Sequence, residues 1–352
     1  LDGIHEESET RRQRMRKQGK LIAAMSMSAF LLVGMNSVFA DGNKYAWYAP
    51  APHPYFEEMK KGVVGFEKEY GVEVNMVVGS SWTQGPEDQD VRALAADGYN
   101  LFSIFPCDPS GANGLYEEIV ARGAFVNNFG ATTTWPTPAG FYSGTDIPAC
   151  AGQAAEALAK LINFKGNVIL AVGALGDLNA QKCSVAARSV FAKYKGIKIL
   201  QEVSDMSSVE VAQEKMESAI SSNIKVLDGI LMTDYTPTDA AATVLAEYYE
   251  KNPKAKHIFV IGRDDTEKVL NAIRSGIIDG TSAQNAYGMG YLPMVLLKYQ
   301  SEGWVRKNDK AYNVFSGHMI VTKKNVDTYK AELVALVKDI KSKLETDYLV
   351  KK

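Results

Sequence analysis

The chain has 352 residues, 46% hydrophobic and 23% charged, with a formal net charge of −2. These are ordinary globular values, and acids and bases mixed along the whole length leave no basic face for nucleic acid. Three cysteines, Cys107, Cys150 and Cys183, are too few for a disulfide framework, so apolar cores must carry the stability.

In chain order, the first feature is an export signal over residues 15–40. MRKQGK supplies positive charge, and Leu21 to Met35 form a 15-residue apolar run. Val38 and Ala40 stand at the small-residue positions of a cleavage site, which makes Asp41 the expected mature start. The run falls short of the roughly 18–20 apolar residues of a spanning helix. An uncleaved anchor is the alternative, and no Cys follows to take a lipid. The stretch LDGIHEESETRRQR before Met15 is unlike the cationic start of a signal. Residues 1–40 therefore read as a leader. Residues 41–352 are enough for two domains.

From Lys44 onward one cycle repeats: a short apolar run, a turn rich in Gly, Pro, Asn and Asp, then an amphipathic helix. Strands are expected at 44–49, 72–78, 101–105 and 124–128, and again at 167–172, 197–203, 227–232 and 257–262. Phe56, Met59, Val63 and Phe66 form one apolar stripe at helical spacing after Pro54, a residue suited to a first helical turn. Strands alternating with helices imply parallel sheets with right-handed crossovers. Runs such as VILAV and IFVI are apolar on both faces, as strands covered on both sides should be.

Residues 131–152 are rich in Thr, Gly and Pro and break the cycle. They read as the first crossing between two domains of like architecture, with a second crossing near Gln284. A helix over 294–303, a strand over 317–322 and a closing amphipathic helix over 326–344 complete the chain. The expected fold is α/β: two doubly wound, Rossmann-like parallel-sheet lobes joined by a three-segment hinge. The first lobe takes 41–147 plus 286–315, the second 148–285 plus 316–352.

Four strings in this order resemble the ribose-type (type I) periplasmic substrate-binding proteins of sugar ABC importers. They are HPYFEEMKKGVVGFEKEYGV, FPCDPSGANGLYEEIVARG, VIGRDDTEKVLNAIRSGII and SGHMIVTKKNVD. The resemblance implies a ligand cleft between the lobes, lined by the loops that follow the strands, with no catalytic residue, metal or cofactor. It also implies a monosaccharide or related polyol as ligand and an ABC permease as partner. A sensor component serving a chemoreceptor or kinase is the alternative.

Sugar sites combine aromatic faces for C–H surfaces with carboxylates or amides for hydroxyls. The first family loop carries one polar and two aromatic contacts onto His53, Tyr55 and Phe56, although Phe56 also begins the core stripe. Asp108 is a further candidate, with helix capping as its other reading. Where the family usually places an acidic–basic pair, this chain has Gly130 and no arginine after it, leaving Asn128 or Trp135 to compensate. In the second half the matching positions are Asn179, Asp234, Asp264 and Gln284. Arg263 stands where an aromatic ring often stacks, and either pairs with Asp264 or reaches the ligand. Cys183 replaces a common arginine and would leave space for a ligand of different shape. Cys107 and Cys150, both expected near the cleft edge, would close a disulfide or remain free thiols.

His5, His53, His257 and His318 have neither metal-ligand spacing nor a triad partner. GALGDL is a broken dinucleotide pattern after the fifth strand rather than the first, so an oxidoreductase is a weak alternative. A sugar-responsive repressor would need a DNA-binding helix pair where the export signal stands.

Overall fold

Strand β1 (Tyr45–Ala49) lies inside the first sheet because both its faces are apolar and all five residues are buried. The structure is a computed structural model and describes residues 42–174, 176–206 and 208–352. The expected export signal, 15–40, lies outside the described residues. After β1 come α1 (Pro54–Tyr70), β2 (Val74–Val78), α2 (Gln84–Ala96), β3 (Leu101–Ile104), α3 (Gly111–Ala121), β4 (Phe125–Phe129) and β5 (Tyr142–Ser143). The sheet is parallel throughout, in the order β2-β1-β3-β4-β5.

The second lobe holds α4 (Ile147–Leu161), β6 (Lys165–Ala171), α5 (Leu178–Phe191), β7 (Gly196–Val203), α6 (Val209–Asn223) and β8 (Gly229–Met232). It continues with α7 (Tyr235–Lys251), β9 (Phe259–Arg263), α8 (Glu267–Ser275) and β10 (Gly280–Gln284). The chain then adds α9 (Ala286–Ser301), β11 (Trp304–Arg306), β12 (His318–Thr322), α10 (Tyr329–Ser342) and β13 (Leu349–Lys351). The second sheet runs β7-β6-β8-β9-β10-β12, with β12 antiparallel at its edge. Up to that edge strand, both sheets follow the same order. In each, chain direction across the sheet reverses between the first and third strands, where the loops leave a crevice at the carboxyl ends.

Helix α1 starts where the sequence provides a start. The His53 side chain accepts from the Tyr55 N–H at 3.2 Å, Pro54 fills the first turn, and Gly71 ends the helix at φ +65°. Phe56, Met59, Val63 and Phe66 are all buried, so the stripe faces the core. Against α1 lies α9, and the two backbones touch. A Cβ on Gly62 would stand 2.1 Å from the Tyr287 carbonyl oxygen, and one on Gly290 would stand 1.9 Å from that of Met59. Helix α9 begins at Ala286, well before the expected 294, because Asn285 caps it by accepting from the Gly288 N–H at 3.0 Å. Pro293 falls inside it.

Three extended segments cross between the lobes and are stitched side by side. Thr145 donates to Gln284 at 2.8 Å, the Ser316 N–H donates to the Gly144 carbonyl at 2.8 Å, and Asn285 donates to the carbonyls of Ser316 and Leu333, both at 2.9 Å. A fourth connection is helical. Tyr329 and Leu333 of α10 pack in the second lobe's core, whereas Val337 and, beyond the helix, Leu344 and Leu349 pack in the first. The chain's end therefore does not stay with the second lobe, as expected for 316–352. The apolar positions of α10 divide between two cores, and β13 pairs with β11 on the first lobe.

Candidate functional site

The crevices of the two sheets face each other across a cavity of about 240 Å³. Loops after β1, β2, β3 and β4 build one wall, and the ends of β9 and β10 with the loops after β6, β8 and β9 the other. A larger groove of about 940 Å³ opens beyond His53, Tyr55, Asp264 and Gln284 toward α10. The smaller chamber lies at the reversal points of both sheets, where open α/β sheets bind ligands, and is the candidate site.

The first-lobe wall is aromatic. Trp82 stacks on Phe56 with centroids 5.7 Å apart and rings inclined by 28°, and Phe105 meets both edge-on at 5.4 and 5.7 Å. Phe56 is nearly fully buried and serves the core and the cavity wall together. Trp82 is 51% exposed, an open indole at the chamber's edge. Tyr55 donates to the Met289 sulfur at 3.1 Å, and burial together with the Asp264 charge pushes its phenol well above the usual range. Gly130 also lines the chamber. At φ +68°, a Cβ there would come within 2.8 Å of the Phe105 ring, so any side chain at this position would be strained and crowded.

The second-lobe wall is polar. Asp234 caps α7 by accepting from the Thr236 N–H at 3.3 Å, and burial raises its carboxyl. Asp264 leaves β9 at φ +66°, a left-handed conformation uncommon for a side-chain-bearing residue. Several contacts fix it. Its N–H donates to Ser282, its carbonyl accepts from the Thr281 hydroxyl at 2.7 Å, and Oδ1 accepts from the Gln284 amide at 2.8 Å. Burial raises the Asp264 carboxyl, with Arg263 and Gln284 opposing the shift.

Arg263 is only 7% exposed. Its Nη1 donates toward Cys183 Sγ at 3.6 Å and Cys150 Sγ at 3.9 Å, while Nε lies 4.0 Å from Asp264 Oδ1. Burial alone would favour the neutral form, but the Asp264 charge opposes it and the guanidinium stays charged. Burial pushes the Cys183 thiol up to about 11, so it is neutral at physiological pH. Beside the small thiol at 183 stands the Arg263 guanidinium.

Nine of the expected residues line this chamber: His53, Tyr55, Phe56, Asn179, Cys183, Asp234, Arg263, Asp264 and Gln284. Three do not. Asp108 accepts from the Ser110 and Gly111 N–H groups and shapes its own loop. Asn128 is buried inside the first lobe, accepting from Tyr116 at 2.9 Å and donating to Thr133 and Tyr312. Trp135 packs outward, its ring edge-on to Tyr312 and covered by the Arg306 guanidinium at 5.3 Å. Of the two readings left open for Cys107 and Cys150, the structure has the free thiols, and Cys183 is free as well. Cys150 packs beside Ser282 in the second lobe, whereas Cys107 is tied to Glu87 and Ser81 in the first.

Trp82, Phe105, Thr233 and Asp177 line the chamber without having been singled out from the sequence. Asp177 and Thr233 could have been found, since each directly precedes a helix or follows a strand in the second half. Trp82 offered only one signal, a lone aromatic in the polar string GSSWTQG.

Residues 48–303 match the family model of the periplasmic binding protein domain, and the chain belongs to that family. A xylitol-binding protein of Mycolicibacterium smegmatis is 25% identical over 236 residues, covering 66% of this chain and 64% of that relative's length. An ABC-transporter solute-binding protein of Burkholderia graminis in complex with D-arabinose superposes with a TM-score of 0.66 at 23% identity, covering 82% of this chain and 97% of the other. One of Bacillus halodurans with bound myo-inositol gives 0.66 at 17%, covering 83% and 98%. These likenesses agree with the two-lobe fold described above.

Proposed function

We propose that this protein is an exported solute-binding protein that captures a monosaccharide or polyol between its lobes and delivers it to the permease of an ABC importer. One observation carries the reading: an aromatic wall faces a wall of carboxylates, amide and guanidinium across a chamber of sugar size. A polyhydroxylated molecule is apolar along its C–H faces and offers a donor and an acceptor at every hydroxyl, so it uses both walls at once. Export rests on the pattern of residues 15–40, and the solute class is also supported by the xylitol-, arabinose- and inositol-binding relatives. His53, Tyr55, Phe56, Trp82, Asp234, Asp264 and Gln284 are the contacts this reading assigns. Closure about the stitched hinge would exclude water and strengthen each hydrogen bond inside.

A thermal-shift screen of xylitol, D-arabinose, D-ribose and myo-inositol tests the solute class. At ~1,000-fold excess over Kd, a ligand adds about 4 kcal/mol of stability, roughly 6 °C for a protein of this size. Solution scattering should also show a smaller radius of gyration with the bound ligand. No shift across pentoses, hexoses and their alcohols would sink the reading.

A further inference from the structure

Arg263 is held in an unusual way for a buried guanidinium. A carboxylate would normally take its fork in two parallel bonds. Here the nearest carboxylate oxygen, on Asp264, lies 4.0 Å from Nε, and the partners of Nη1 are two sulfurs at 3.6 and 3.9 Å. Among the described residues, no hydrogen bond from Nε or Nη2 is made, and Arg263 is part of the chamber wall. The sulfurs come from adjacent helices, Cys150 from α4 and Cys183 from α5, both buried, with Ser282 against Cys150 Sγ at 2.8 Å.

We propose that Cys150 and Cys183 are positioning residues that hold one arm of Arg263 with neutral, weakly accepting sulfur, so that Nε and Nη2 stay free to grip two neighbouring oxygens of the ligand. The chemistry differs from that of either obvious substitute. A carboxylate at 183 would orient the guanidinium but take up the donors the ligand needs. An apolar side chain would leave the charge without a partner on that side, free to turn toward Asp264. Sulfur is polarisable enough to accept an N–H and too weak an acceptor to compete with a hydroxyl oxygen aligned on the fork. Each gripped hydroxyl can then donate a hydrogen bond to Asp264 or Asp234, which satisfies donor and acceptor together. This inference rests on the chamber being the ligand site, as proposed above, and adds that the thiol pair sets the direction of Arg263.

The test compares a Cys150→Ser, Cys183→Ser pair with a Cys150→Val, Cys183→Val pair. If the thiols matter only as packing, valine suits the buried site better than serine, and both melting temperature and affinity follow that order. If they act as acceptors for Arg263, xylitol affinity by calorimetry follows the opposite order, with the valine pair roughly tenfold or more below the serine pair. In an Arg263→Met background the difference between the pairs should vanish. Should the valine pair fail to fold, an alanine pair, which adds no volume, replaces it.

A second readout needs no ligand. In 1H–15N spectra of the arginine side chains, Arg263, assigned by its loss in Arg263→Lys, should show separate Nη1 and Nη2 signals in the parent and serine pair. These should merge in the valine pair as rotation is freed. Identical spectra in all three, or equal affinities for both pairs, overturn the proposal. If the parent binds none of the screened solutes, the polyol reading falls, and the spectra alone decide whether the thiols position the arginine.

Discussion

The two walls of the cleft differ in how far their residues are committed to the fold. On the polar wall almost every group has a structural duty: Asp234 caps α7, Asp264 is bound by Gln284 at the hinge, and Arg263 lies against two thiols. On the aromatic wall Phe56 is core, but Trp82 is half exposed and held only by stacking and edge contacts. Binding and stability should therefore be coupled on the polar wall and separable on the aromatic one. Substitutions can break or sharpen that contrast.

The largest expected effect is on affinity at Asp264. Its carboxylate would accept hydroxyl protons in a closed, dry chamber, where such a charged hydrogen bond contributes roughly 1.5–3 kcal/mol. Asp264→Ala should thus weaken solute binding about 10- to 150-fold by calorimetry. Asp264→Gly should lose as much affinity while unfolding at a higher temperature than Asp264→Ala, because φ +66° suits glycine without strain. Parent-like binding in both would remove Asp264 from the site. Trp82→Ala comes next. Loss of one aromatic face is worth ~0.5–1.5 kcal/mol, so affinity should fall roughly 2- to 12-fold with the melting temperature nearly unchanged. A large drop in melting temperature would show that the indole is core after all and would erase the contrast between the walls.

A smaller effect concerns pH. Burial raises the Asp264 carboxyl in the folded protein above its unfolded value, so the folded state binds more protons across that interval. Stability from this group is then greatest at low pH and is lost as pH rises through the folded pKa. Asp264→Asn removes the penalty of burying a charge. It should raise the melting temperature at neutral pH, with the advantage shrinking as the buffer is acidified toward the raised pKa. An advantage that grows on acidification would reverse the assignment.

The doubly wound class was legible because β1, β6 and β9 are apolar on both faces and turns punctuate them at regular intervals. The polar wall was legible for a related reason. A residue such as Asp234 or Asp264, one or two places past a strand's carboxyl end, lies at the crevice wherever the sheet is parallel. The same reasoning failed at Asp108, Asn128 and Trp135, because a position after or near the end of a strand does not say where its loop turns. Asp108 folds back on Ser110 and Gly111, and Asn128 is drawn inward by Tyr116 and Tyr312. The choice between a Cys107–Cys150 bridge and free thiols stayed open because lobe membership depends on contacts far apart in sequence. Helix α10 hid its divided loyalty in the same way: an amphipathic stripe shows that a face is buried, not that two cores share it.

Trp135 gives the finest test of these corrections. Its ring lies outside the chamber, against Tyr312 and beneath Arg306. Such a cation–π contact at an exposed site is worth about 0.5–1 kcal/mol. Trp135→Ala should therefore lower the melting temperature slightly and leave solute affinity within about twofold. The outcome bears on the aromatic wall, because Trp82 and Trp135 are each 51% exposed and follow strands of the same sheet. Their loops differ: the one after β2 brings Trp82 to the chamber, and the one after β4 places Trp135 against Tyr312 and Arg306. Equal losses of affinity from the two substitutions would mean that closure carries the 131–135 loop onto the ligand. A loss from Trp82 alone would show that the aromatic wall ends at Phe105.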